Sequence, residues 1–396
     1  MSKIILTTTS PSIGNGMDSI HGNAMPMFDG KTTSAGACGK ETHLIGVLKG
    51  EGVGPEVIDV CLALLDTVSR IYKLKFDVRF GGAIGLESHK ISGRNLTNEV
   101  VKFCKGIFGQ GGTILAGPGG GRFVYEMRRK FDLFAKVNPL VPLPELEDAA
   151  PVNFRSPFRS DILVVRDNRG GLYQGRSRRQ ENWDDCQVSH RFSHSEKEVA
   201  QLVTYAAQIA AHRRGILTVV TKESGLPELS DLWFRCAQTA SAANGVELRR
   251  MDVDFAVYQL IARPGDFDVI AVSNCFGDIL SDLGGVLMGS RGVTYGASYS
   301  QDGCGVYQTN HGAAYDLAGK NCANPAGQIF SLAMLLAESF GLRTEAAAIV
   351  QAVLQSWRDG WRTADVMAPG KSLLGTAEIG RVIAENIEKL SHEGWN

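Results

Sequence analysis

The stretch His43-Leu-Ile-Gly-Val-Leu-Lys-Gly-Glu-Gly-Val-Gly-Pro-Glu-Val-Ile-Asp-Val-Cys-Leu-Ala-Leu-Leu-Asp-Thr-Val-Ser-Arg-Ile-Tyr72 decides the fold. A short apolar run, His43–Leu48, crosses a glycine-rich turn into an amphipathic stretch, Pro55–Tyr72, which reads as strand then helix. The alternation continues outward through Phe76–Phe80, Leu96–Lys105 and Thr113–Ala116, the signature of an α/β domain. A second series follows the proline-rich segment 138–157. Its strands are Ile162–Arg166, Ile216–Thr221, Val246–Met251 and Asp268–Val272. Its helices are Ser195–Arg214, one running to Asn244, and Phe255–Ala262; the first opens on a capping box from Ser195 to Glu198 and closes at Gly215. Helical stretches Ala326–Phe340, Glu345–Trp357 and Ala377–Leu390 dominate the last hundred residues with few strands to pack on, so they are expected to return to the first sheet. Pro142–Pro157 is the expected domain boundary.

With 396 residues, 44% hydrophobic and 21% charged, the chain is globular in composition and long enough for two domains. Its 41 basic and 42 acidic residues cancel, which excludes a global field that recruits nucleic acid or an anionic membrane. No run reaches membrane-span length. Eight cysteines without a CxxC pair, and no apolar leader before residue 43, point to a reducing, cytoplasmic setting. Residues 1–40 lack Arg and read as a flexible N-terminal extension.

Several motifs carry chemistry. Asn274-Cys-Phe-Gly-Asp-Ile-Leu-Ser-Asp282 follows a strand and opens a helix, so Asp278 and Asp282 share one face and repel unless a cation sits between them. Carboxylates there suit Mg²⁺ or Mn²⁺; a solvated acidic face is the plainer reading. Lys222 ends a strand at the edge where open α/β sheets place ligands, and a nearby cation would lower its pKa; a surface lysine is the alternative. Arg166-Asp-Asn-Arg-Gly-Gly-Leu-Tyr-Gln-Gly175 puts an arginine at a strand end and Tyr173, a candidate general acid, in a glycine-flanked turn that is otherwise a hairpin with an aromatic anchor. Arg122, Arg128, Arg129 and Lys130 crowd the stretch after Gly117-Pro-Gly-Gly-Gly121, either as carboxylate binders or as a basic helix face. Gly50-Glu-Gly-Val-Gly-Pro misses the dinucleotide fingerprint by one residue, Gly30-Lys-Thr and Gly370-Lys-Ser are not P-loops, and His190 with His194 reads as surface.

Taken with His311-Gly-Ala-Ala-Tyr-Asp-Leu-Ala-Gly319 and Asn324-Pro325, these motifs resemble the metal-dependent β-decarboxylating dehydrogenases: isocitrate, 3-isopropylmalate, homoisocitrate and tartrate dehydrogenases. The resemblance runs from about residue 43 to the C-terminus. It implies a two-domain α/β/α fold without a true Rossmann motif, with 41–137 plus 289–396 as the first, cofactor-binding domain and 138–288 as the second. It also implies NAD-dependent oxidative decarboxylation of a 3-substituted malate, with Arg128 and Arg166 on the substrate carboxylates and Mg²⁺ or Mn²⁺ on Asp278 and Asp282. Asp254 and Lys222 would come from the neighbouring subunit of a homodimer, with Lys222 helping to remove the hydroxyl proton and Tyr173 protonating C3. Part of 176–193 would form an arm clasped between subunits. His311, Gly312, Ala313, Asp316 and Asn324 match the cofactor loop, and a carboxylate at Asp316 favours NAD over NADP.

Departures bear on the substrate. Val137-Asn138-Pro139 stands where relatives have Leu-Arg-Pro, so a carboxylate-binding arginine is missing unless Arg122, Arg129 or Lys136 compensates. Arg122 suits an anionic substituent, a carboxylate or phosphonate, whereas Val124 and Tyr125 suit an apolar or aromatic one. Ser224 replaces an expected asparagine after the lysine. A non-catalytic regulatory subunit of a homologous dehydrogenase is the alternative, which the loss at Asn138 favours.

Overall fold

The computed structural model describes residues 42–150 and 160–392. The expected extension 1–40 and the end of the boundary segment at Pro157 lie outside the described residues.

The first alternating series folds as β1 (His43–Leu48), α1 (Gly54–Tyr72), β2 (Phe76–Phe80), α2 (Gly85–Ser92), α3 (Asn98–Gly109), β3 (Thr113–Ala116), α4 (Phe123–Lys130) and β4 (Ala135–Leu140). The second is β5 (Ile162–Asp167), β6 (Arg176–Glu181), β7 (Cys186–Arg191), α5 (Glu196–Ala211), β8 (Ile216–Thr221), α6 (Pro227–Asn244), β9 (Glu247–Asp252), α7 (Val253–Ala262), β10 (Val269–Val272) and α8 (Asn274–Leu287). Short strands β11 (Ala297–Tyr299) and β12 (Gly305–Tyr307) precede α9 (Ala326–Phe340), α10 (Arg343–Arg358), β13 (Trp361–Arg362), β14 (Ser372–Leu373) and α11 (Thr376–His392). As expected, the late helices return to the first series, with α9 and α11 packing on α1.

One ten-stranded sheet in the order β2-β1-β3-β12-β11-β4-β5-β10-β8-β9 runs through both series. It is parallel except around β4, which is antiparallel to β5 and to β11, and at the β11–β12 pair. Both faces are covered by helices, so its inner strands are buried along their whole length, as a sheet of this kind requires. β4 takes up the first residues of the proline-rich segment 138–157 and ends before the expected boundary Pro142–Pro157. Pro139 has no N–H to give a ladder, yet it sits opposite Leu163 in the middle of the sheet. Burial of Val137 and Leu140 outweighs the lost bond.

Helix α8 lies close against β4 and β5 because two of its three glycines face them. A Cβ at Gly277 would come within 2.8 Å of Arg166 Cγ, and one at Gly284 would overlap the Leu140 side chain. This approach sets the depth of the site below. β6 and β7 form a separate two-stranded hairpin, exposed along both strands. Helix α5 starts after Ser195 as the capping pattern implies, but the Ser195 side chain makes no capping hydrogen bond.

Candidate active site

Three cations converge between α4, β4 and β5. Alternation on β4 puts Lys136, Asn138 and Leu140 on the face under α8, and Lys136 sits opposite Arg166 in the β4–β5 register. Arg128 on α4, Lys136 and Arg166 are all buried, at 4%, 8% and 3% exposure. Arg166 is well partnered: Nη1 donates to Asp278 Oδ1 at 2.6 Å, while Nε and Nη2 donate to Asn274 Oδ1 at 3.0 and 2.6 Å. Arg128 is not; its Nε has no hydrogen-bond partner among the described residues. Burial, with Arg166 adding repulsion, pushes the Arg128 guanidinium down to about 9, still charged at neutral pH. Burial likewise pushes the Lys136 ammonium well below its ordinary value, and Arg128 and Arg166 add to the effect while Asp278 and Asp282 oppose it.

Asp278 and Asp282 project from α8 beside this cluster, each about half exposed. Tyr173 reaches in from the turn after β5 and donates its hydroxyl to Asp278 Oδ2 at 3.0 Å. Burial opposes ionisation of Asp278, but Arg166 and the Tyr173 hydrogen bond outweigh it and hold its carboxyl below the usual range. Tyr173 moves the other way: burial and the Asp278 charge push the phenol up, so it keeps its proton. Asp282 pairs with Arg291 at 2.9 Å. Two half-exposed carboxylates one turn apart offer hard oxygen donors, which fit Mg²⁺ or Mn²⁺. Among the described residues no three acids, histidines or cysteines gather to hold a metal, so a three-carboxylate site needs a donor from beyond them.

Tyr125 stands edge-on to Tyr173, ring centroids 5.6 Å apart, with the guanidiniums of Arg122 and Arg128 at 5.3 and 5.8 Å from its ring. Arg122 is exposed and donates to the Tyr173 carbonyl at 3.4 Å. Val124 turns away and packs on the cluster around Ile84, Phe123 and Met127. The crowded basic stretch therefore divides: Arg128 faces inward, Arg129 and Lys130 face solvent. Asn138 is fully buried, its amide donating to the Tyr295 carbonyl and Asn310 Oδ1 and its oxygen accepting from Ser281, so it serves as a brace under the site.

Lys222 and Asp254 form a second cluster. Lys222 Nζ donates to both oxygens of Asp254 at 3.0 Å and to Asp252 at 3.3 Å. The Asp254 hydrogen bond pushes the ammonium up, opposite to the direction expected for a base beside a cation, so Asp254 holds Lys222 protonated here. No hydrogen bond or ion pair among the described residues joins this cluster to Asp278 or Tyr173. Near Asp254, α7 and α8 expose Phe255, Tyr258 and Ile279. His194 corrects the surface reading: it is buried, edge-on to Trp233, whereas His190 lies on the exposed hairpin.

The cofactor-loop candidates lie against the glycine turn after β1. Val53 N donates to the Ala313 carbonyl at 2.9 Å, and Gly52, at φ +59°, has no room for a Cβ beside that carbonyl. Buried Glu51 ties three loops together, accepting from Gly120 N at 2.6 Å, the Tyr315 hydroxyl at 2.9 Å and Glu87 N. Asp316 and Gly312 are exposed at the loop surface, His311 Nδ1 lies 2.9 Å from the Gly312 carbonyl, and Asn324 Nδ2 donates to Asp365 at 3.1 Å. Glu51, Asn274 and Arg291 were missed from sequence; only Glu51 carried a signal, an acid inside a glycine-rich turn.

The isocitrate/isopropylmalate dehydrogenase profile matches residues 44–383. A 3-isopropylmalate dehydrogenase of Bacillus licheniformis is 37% identical over 352 residues, 85% of this chain and 93% of its own. Another, from Aquifex aeolicus, is 34% identical over 364 residues, 88% of this chain and 98% of its own. The solved isocitrate dehydrogenase from Methylococcus capsulatus aligns with a TM-score of 0.78 at 26% identity, over 87% of this chain and 99% of that one.

Proposed function

Because the chain belongs to the isocitrate/isopropylmalate dehydrogenase family, we propose that it oxidises and decarboxylates a 3-substituted malate with NAD. The observation that carries this reading is the Arg166–Asp278–Tyr173 chain: one carboxylate, gripped by a buried guanidinium, holds a protonated phenol at the mouth of a cationic pocket. Mg²⁺ or Mn²⁺ on Asp278, Asp282 and a second copy's Asp254 would supply Lewis acidity, and NAD on the His311–Asn324 loop would supply the hydride acceptor.

The chain's own residues do the rest. Arg128 and Arg166 bind the malate carboxylates and fix its orientation. Lys222, once Asp254 no longer holds it, takes the C2 hydroxyl proton. Tyr173 gives its proton to C3 after CO₂ leaves. Tyr125 and Arg122 flank the substituent, and their pairing suits a group with an apolar body and an anionic end.

A homodimer follows from the same reading. Asp254 and Lys222 make no hydrogen bond or ion pair to Asp278 among the described residues and lie beside the exposed Phe255, Tyr258 and Ile279, so a second copy burying that patch would bring its own pair to the first copy's site. The exposed β6–β7 hairpin is the arm that clasps it. The chain divides functionally into 41–137 with 289–396 and 138–288, with β4 as the seam. Free cysteines throughout the described residues suit a reducing compartment such as the cytoplasm, and no described helix is long and apolar enough to cross a membrane.

The test is purified protein with NAD, Mg²⁺ and malates carrying carboxyl, alkyl, benzyl or phosphonomethyl groups at C3. At least one should yield CO₂ and reduced cofactor in equal amounts. Absence of turnover across the panel overturns the proposal.

A further inference from the structure

Lys136 has no role in the chemistry above, yet its position is unusual. Its side chain lies in the slot between β4 and α8, on the rung opposite Arg166. It is 92% removed from solvent, since 8% of it is exposed, and it makes no hydrogen bond or ion pair among the described residues. A lysine this far from water without a partner is driven toward its neutral amine, so an anion arriving beside Arg128 and Arg166 is what would restore its charge. The neighbouring carboxylates are engaged elsewhere: Asp278 on Arg166 and Tyr173, Asp282 on Arg291, and Asp167 on the backbone N–H groups of Arg169 and Gly170. The other cations near the site do not fill this role. Arg129 faces solvent and exposed Arg122 lies over the Tyr125 ring.

We infer that Lys136 is a substrate-anchoring residue, its ammonium receiving a carboxylate of the malate alongside Arg128 and Arg166. The cation is thereby moved two residues along the same strand face from Asn138, whose amide is committed to bracing Tyr295, Asn310 and Ser281. The move changes the ligand geometry as well as its place. A lysine offers a point charge at the end of a flexible stem, whereas an arginine at 138 would offer a planar fork, so the pocket accepts a carboxylate whose plane varies with the C3 substituent.

This inference rests on the functional reading above, and the test separates the two. Calorimetry with Mg²⁺ and NADH present measures the affinity of the full-length protein for 3-isopropylmalate and for its C1 and C4 monoamides. Lys136→Met should weaken the diacid roughly ten- to a hundredfold, the range of one charge-assisted hydrogen bond, while leaving one monoamide unchanged because its partner charge is already gone. The ligand-free melting temperature should hold or rise, since a buried amine without a partner has been removed, and the affinity for NADH alone should stay the same. Lys136→Gln serves as the second variant with the same expectation. Equal weakening of the diacid and both monoamides, no weakening at all, or loss of folding in both variants would overturn the inference. Failure of the wild-type protein to bind any of the three probes would instead overturn the functional reading, and Lys136 as substrate anchor with it.

Discussion

Replacing Asp278 with asparagine keeps the shape of the side chain and removes its charge, so stability and catalysis should part company. Two unit charges about 4 Å apart interact by roughly 4 kcal/mol at an effective dielectric near 20. The net loss of stability is much smaller. Asp278 is 46% exposed, so solvent screens the pair. Arg166 also keeps Asn274 at 2.6 and 3.0 Å and is not orphaned. We expect about 1–2 kcal/mol, a fall of a few degrees in the melting temperature. Turnover should suffer far more, because the same carboxylate orients Tyr173 and supplies a ligand to the cation. A loss of about 4 kcal/mol of transition-state stabilisation is roughly a thousandfold in kcat/KM.

The pH dependence gives an internal check. The folded carboxyl lies below its unfolded value, so its stabilisation is complete above roughly pH 4 and lost as pH falls through the folded pKa. The wild type should therefore exceed Asp278→Asn in stability at neutral pH, and the two should converge in strong acid. Steady-state kinetics across a Mg²⁺ titration, with thermal melts from pH 2 to pH 7, read both effects. Unchanged turnover with an unchanged Mg²⁺ requirement would refute the assignment.

Two further outcomes follow from the same geometry. Lys222→Met and Asp278→Asn, each inactive alone, should regain about a quarter of wild-type activity when unfolded and refolded together in equal amounts, since half the dimers would be mixed and each mixed dimer would have one intact site; no recovery would place both residues in one chain's site. Exposed Asp316 should give NAD at least a tenfold advantage over NADP in kcat/KM through repulsion of a 2′-phosphate, and equal efficiencies would remove Asp316 from cofactor selection.

Strong, uninterrupted patterns were legible. His43–Leu48, Thr113–Ala116 and Ile216–Thr221 fall where their apolar runs place them, because burial on a two-faced sheet leaves a continuous signal, and helix Ala326–Phe340 does so because it is buried nearly all round. What escaped were elements whose stability is tertiary. β4 carries Lys136, Asn138 and Pro139 and looks like linker until neighbouring strands are in place, and three-residue β11 and β12 are too short for any period. In the site, Arg128 and Arg129 are adjacent and chemically identical, so only the helix phase at α4 decides which faces inward. Asn274 acts through Arg166, a pairing across 108 positions that no local pattern contains.

The ladder between β4 and β5 constrains how this molecule can shut. Three rungs, from Ala135–Asp167 to Val137–Val165, cross the proposed division and three more continue the same ladder to Leu140–Ile162, so the proposed halves share one continuous sheet rather than a slack linker. A movement of one against the other would have to twist this ladder.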